Sequence, residues 1–134
     1  MSNLPIRDIG SYMGEQLEKL LRVTVLETDS RLKLQSPVDT GRFRMSWQIG
    51  MNAANGEPMP EGSYGAGITP PKGINYQPGQ EKLGNYYSVH NNLPYAEALA
   101  QGHSKQAPAG WVDRTARKMQ RFVDTNWEQI KRQG

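Results

Sequence analysis

The sequence predicts an α+β domain: an antiparallel sheet flanked by a long N-terminal helix, a short middle helix and a C-terminal helix, with a long Gly/Pro-rich middle loop or extended hairpin. Three observations predict it. Apolar residues recur every three or four positions at both ends of the chain, they alternate every second position in two short central stretches, and the region between those stretches is crowded with glycine and proline. With 134 residues and no cysteine, the chain reads as a single domain, 1–134, whose modest core forms without disulfide or thiolate metal site.

The first element is expected over 6–35. Ile6, Ile9, Met13, Leu17, Leu20, Leu21, Val25 and Leu32 fall mostly three or four apart, which makes one amphipathic helix. Its length, roughly 40 Å, exceeds what the core of so small a domain needs, so it either packs over the sheet or lies against a neighbour. Gly10 and Gly14 weaken its first turns. Pro37 disfavours helical geometry at Ser36 and ends it.

A turn follows. Asp39 and Thr40 have side chains able to bond nearby backbone amides, and Gly41 accepts left-handed geometry. From Arg42 the alternation of Phe43, Met45, Trp47 and Ile49 against Arg42, Arg44, Ser46 and Gln48 predicts a strand over 42–50. Residues 50–84 hold eight glycines and five prolines, a composition that sustains neither a helix nor a central strand. The segment 51–84 is therefore expected as an extended loop or hairpin, with a strand fragment at Tyr64 to Ile68, becoming ordered against a partner.

The stretch YYSVHNNLPYAEALAQGHSKQAPAGW, from Tyr86 to Trp111, is the most tightly punctuated part of the chain. Alternation over 86–91 predicts a second strand. Pro94 suits the first turn of a short helix over 94–101, which Gly102 stops with positive φ. Pro108 opens the last helix, 108–132, whose inward stripe is Val112, Thr115, Met119, Phe122, Val123, Asn126 and Ile130 with Trp127 at its edge.

Charge is uneven. Of the formal net +3, residues 101–134 carry +4 (seven Lys/Arg against three acids) and residues 1–100 carry −1. Arg114, Arg117, Lys118 and Arg121 sit together at helical spacing and are the candidate phosphate contacts; the plainer reading is a solvated face that suits the helix dipole.

Chemistry is poorly represented. His90 falls in a predicted strand and His103 in a polar connector, with no thiol, no paired-histidine metal motif and no phosphate-cradling glycine loop. His103, Ser104 and Lys105 are adjacent in sequence, and adjacent residues rarely converge on one atom. No catalytic, cofactor or metal site is expected. No apolar run is long enough to span a membrane, and MSNLPIRDIG lacks the apolar core of a signal peptide.

Two segments carry a family resemblance. SPVDTGRFRMSW (Ser36 to Trp47) is similar to the motif of tailed-bacteriophage head-to-tail joining proteins, in which a proline-x-aspartate-threonine-glycine-arginine turn leads into a strand. VHNNLPYAEALAQGHSKQAPAGWV (Val89 to Val112) resembles a second block of the same family: asparagines, a proline-tyrosine-alanine helix, a glycine, then glutamine-alanine-proline-x-glycine before the last helix. Together they cover about a quarter of the chain, in the family's order.

The resemblance implies a non-catalytic virion protein of the neck or tail-completion class. Copies would form a ring, six-fold, between the head connector and the tail tube or tail terminator, with DNA passing through without specific binding and no membrane partner. Its place would be the virion neck, after synthesis in the host bacterial cytoplasm. The motif residues are Asp39, Thr40, Gly41 and Arg42 at the turn, and Tyr95, Gly102, Gln106, Ala107, Pro108 and Gly110 before the last helix, with structural roles expected for them. The segment from Asn52 to Gly84 is longer and richer in glycine and proline than the family pattern, which leaves a tail terminator ring as an alternative to a completion protein. A nucleic-acid-binding module using the basic last helix is the rival from another class.

Overall fold

A computed structural model describes residues 6–37, 41–64, 74–100 and 110–133, with backbone alone for 6–11 and 133. The fold is α+β, in the order α1 (Ile6–Gln35), α2 (Arg42–Met45), β1 (Gln48–Met51), β2 (Tyr87–His90), α3 (Ala96–Ala100) and α4 (Trp111–Gln133).

The helix α1 runs unbroken for 30 residues. The Ser36 hydroxyl finishes it by donating to the Leu32 carbonyl at 2.6 Å while accepting from the Trp47 indole N–H at 2.8 Å. One buried side chain thus caps the helix and fixes the ring that begins the core. Along its length α1 packs antiparallel to α4: Gln35 donates to the Thr115 hydroxyl at 2.9 Å at one end, and at the other Gln16 and Leu20 share a groove with Phe122, Asn126 and Ile130.

The strand expected over 42–50 is half a strand. Gly41 takes φ +83°, its carbonyl accepts from the Met45 amide at 3.0 Å, and the Ser46 hydroxyl closes the turn onto the Arg42 carbonyl at 2.6 Å. Residues 42–45 therefore wind as α2, and extended structure begins only at Gln48. Phe43 and Trp47 are four apart, a spacing that places two side chains on one face of a helix or of a strand alike. The alternation was satisfied by either conformation, and the left-handed turn at Gly41 decided between them.

β1 and β2 pair antiparallel, Gln48 opposite His90 through Met51 opposite Tyr87. Ile74 adds an isolated parallel bridge at Gly50, exchanging backbone hydrogen bonds with Met51 and Ile49 at 2.9 and 3.0 Å. A lone two-stranded ribbon is marginal in water, and this one leans on α1. The second strand is trimmed at both ends relative to expectation, to Tyr87–His90, and the short helix starts two residues later, at Ala96, its expected end at 101 lying outside the described residues. Gly102 and Pro108, the expected stop and start, lie outside the described residues, and α4 begins after Gly110 at φ +75°.

The described parts of the central Gly/Pro segment are anchored to the rest of the chain by side-chain hydrogen bonds. Met59 N donates to the Ser46 hydroxyl at 3.0 Å, Arg42 Nε to the Met59 carbonyl at 2.7 Å, and Asn92 to the Ala54 and Gly56 carbonyls at 2.8 and 2.9 Å. The Gln48 amide bonds the Glu57 carbonyl. Tyr64 is not in a strand, and the rest of the fragment expected at Tyr64 to Ile68 lies outside the described residues.

Candidate interaction surfaces

The two blocks that carry the family resemblance close on each other. Phe43 and Trp47 from the first and Leu93 and Trp111 from the second are buried in one cluster with Leu32 of α1. Phe43, Trp47 and Trp111 make three mutual edge-to-face contacts, with centroids 5.7, 6.2 and 6.3 Å apart, the geometry in which aromatic pairs attract. A polar bond reinforces the junction, Asn91 donating to the Phe43 carbonyl at 2.8 Å, and within the second block the Trp111 indole donates to the Leu99 carbonyl at 3.0 Å.

Of the motif residues, Gly41, Arg42, Tyr95 and Gly110 are described. At Gly41 a Cβ would lie 2.0 Å from the Tyr64 carbonyl oxygen, so close approach and positive φ both require glycine. Arg42 spends its Nε on the Met59 carbonyl. Gly110 turns the chain into α4 by its positive φ. Tyr95 is exposed, while its carbonyl accepts from Leu99 N at 3.2 Å. Asp39, Thr40, Gly102, Gln106, Ala107 and Pro108 lie outside the described residues, as does His103.

His90 is held between the Ser88 hydroxyl, 2.9 Å from Nδ1, and the Gly56 amide, which donates to Nε2 at 3.1 Å. Burial pushes its pKa below the ordinary histidine value. The ring is a neutral brace between β2 and the loop. Among the described residues no group of three His, Cys, Asp or Glu side chains is placed to hold a metal, and no helix is long and apolar enough to cross a membrane.

Sequence reasoning missed Glu81. Its side chain is fully buried beside Arg22, whose Nε donates to Oε1 at 3.1 Å; Gly79 N donates to the same oxygen at 3.0 Å, and the Tyr76 hydroxyl to Oε2. Burial alone would raise its pKa, but the donors from Tyr76, Arg22 and Gly79 together hold it below the ordinary carboxylate value. Burial, reinforced by the same pairing, pushes the Tyr76 phenol well above its usual range. This clasp ties the end of the Gly/Pro segment to α1 across 59 positions. Nothing local in the sequence signals it beyond an acid in a segment otherwise poor in charge.

Two outward faces remain. On α1 the exposed line is Glu15, Lys19, Val23, Leu26, Ser30 and Leu34, with Val23 49%, Leu26 39% and Leu34 73% exposed. Leu26 also borders an open cleft of about 1140 Å³ between α1, β1 and the 75–87 turn, floored by Trp47, Ile49 and Tyr87. On α4 the exposed face carries Arg114, Arg117, Lys118 and Arg121, so the structure brings these four predicted residues together on one stripe.

No family model, curated protein or solved structure matches this chain. The functional reading therefore rests on the residues and their arrangement.

Proposed function

We propose that this chain is a structural virion protein of a tailed bacteriophage, forming a ring in the neck that joins the head connector to the tail. It acts by assembly and not by catalysis. The observation that carries the reading is the union of the two motif blocks. Segments 42 positions apart, each resembling the same family, supply the aromatic triad of one core. That is expected if they descend together as a module.

The α1 outer line supports the assembly half of the proposal. Copies related by rotation touch through two different patches, so each must offer a surface that its own fold leaves uncovered. Val23, Leu26 and Leu34 are such a surface, beside the open cleft. The layer assigned is tail completion, with a tail terminator ring as the alternative.

Native mass spectrometry of the purified protein, alone and mixed with purified tails, tests this. A ring of identical copies, formed alone or on the tails, is the expected result. A monomer at every concentration that also fails to associate with tails, and is absent from purified particles, overturns it.

A further inference from the structure

We infer that the outward face of α4 is a non-sequence-specific contact surface for the phosphate backbone of duplex DNA, through Arg117, Lys118 and Arg121. The inference goes beyond the neck reading and does not require it, since it concerns one face of a single copy.

The inner face of α4 is fixed by burial of Trp111, Thr115, Met119 and Ile130. The helix therefore cannot roll, and what it shows outward is set. Arg117, Lys118 and Arg121 are exposed and form no ion pair among the described residues; Arg114, one turn earlier, is engaged within the chain and is not counted. Four of the described cations are paired with acids, Arg22 with Glu81, Arg31 with Glu27, Lys33 with Asp29 and, on α4 itself, Lys131 with Glu128. The nearby Asp124 accepts from Gln120 at 3.0 Å instead of from an arginine.

The chemistry of the face selects among partners. No large apolar side chain described on α4 is exposed; among the described residues those that are exposed lie on α1, at Leu83, at Tyr86 and at Tyr95. An interfacial membrane helix needs an apolar face to bury, and a protein hot spot needs a desolvated aromatic or aliphatic anchor. Neither is present on this side. What remains is a short row of guanidinium and ammonium groups over about one turn of helix, suited to a partner that offers dense negative charge. Duplex DNA presents one charge per ~1.7 Å of axis. The amide beside the cations, Gln120, is occupied by Asp124, so the contact assigned to the three cations is with phosphates and not with base edges.

The test is fluorescence anisotropy of the full chain with a mixed-sequence DNA duplex across a salt series starting at low ionic strength. Three phosphate contacts give a slope of log K against log salt of about −2.7. The variant Arg117→Gln/Lys118→Gln/Arg121→Gln keeps good helix formers at exposed sites, so its circular dichroism and melting should match the parent while the slope flattens by about 2.7. Lys19→Gln/Lys82→Gln removes two exposed cations elsewhere and should leave the slope of the parent. Absence of binding at the lowest salt, an unchanged slope in the triple variant, or equal loss in the Lys19/Lys82 variant overturns the inference. So does displacement of DNA by polyglutamate at equal charge concentration, which would assign the face to an acidic protein.

Discussion

The two long helices share a core and present opposite outer surfaces. From Arg22 to Lys33, α1 pairs its cations with acids and leaves Val23, Leu26 and Leu34 bare; α4 exposes no large apolar side chain and leaves Arg117, Lys118 and Arg121 without acids. Paired charges flanking exposed aliphatic groups suit a surface that another protein will desolvate, because no lone charge is trapped when water leaves. Unpaired charges without aliphatic groups suit a surface that stays wet. The difference is what the proposed division requires, the α1 face meeting copies or neighbours and the α4 face a polyanion.

The largest effects should come from breaking what the helices share. Trp111→Ala should cost about 3–5 kcal/mol in urea unfolding, and hydrogen exchange should lose protection in α1 and α4 together. Loss confined to α4 would mean the two are not one body. Gly41→Val should cost about 3 kcal/mol or more, since a branched side chain meets both the φ of +83° and the Tyr64 carbonyl; melting unchanged from the parent would contradict the turn.

Next comes the clasp that fixes the loop beside the α1 face. Glu81→Ala should cost about 1–3 kcal/mol, leaving the Tyr76 hydroxyl and Gly79 amide without their acceptor. Its pH signature has a definite sign. The folded pKa of Glu81 lies below the ordinary 4.5, so its stabilisation is fully present above pH 4.5 and disappears as pH falls through the lower folded value. Asp29, raised by burial despite Lys33, has the opposite slope and makes folding relatively more favourable as acid is added. In Glu81→Ala, stability should fall less on acidification than in the parent; an identical acid limb in both would remove Glu81 from the account. The smallest effect on folding, and the sharpest on the comparison, belongs to Val23→Glu/Leu26→Glu/Leu34→Glu. Monomer stability should change by about 0.5 kcal/mol or less per site, because these side chains are exposed, while self-association is lost.

Much of this fold was legible because long periodic patterns leave few alternatives. The 3.6-residue stripe of α1 gave its span from Ile6 to Gln35, and that of α4 put Thr115, Met119 and Ile130 inward. Gly41 announced its own left-handed turn. The passage from Phe43 to Trp47 was misread because spacing by four fits both regular structures. The anchors of the Gly/Pro segment, Ser46, Asn92, Gln48 and Arg22, were not legible because they are scattered through the rest of the chain. Such long-range polar pairs leave no periodic trace. The basic stripe of α4 was visible from spacing alone, but its lack of acidic partners was a matter of tertiary placement.

The most direct test of the assembly claim is native mass spectrometry of the parent chain and of Val23→Glu/Leu26→Glu/Leu34→Glu, each mixed with purified tails. The account predicts a ring of several copies on the tails for the parent and a folded, unattached monomer for the variant. Equal attachment of both, or attachment of neither, would contradict it.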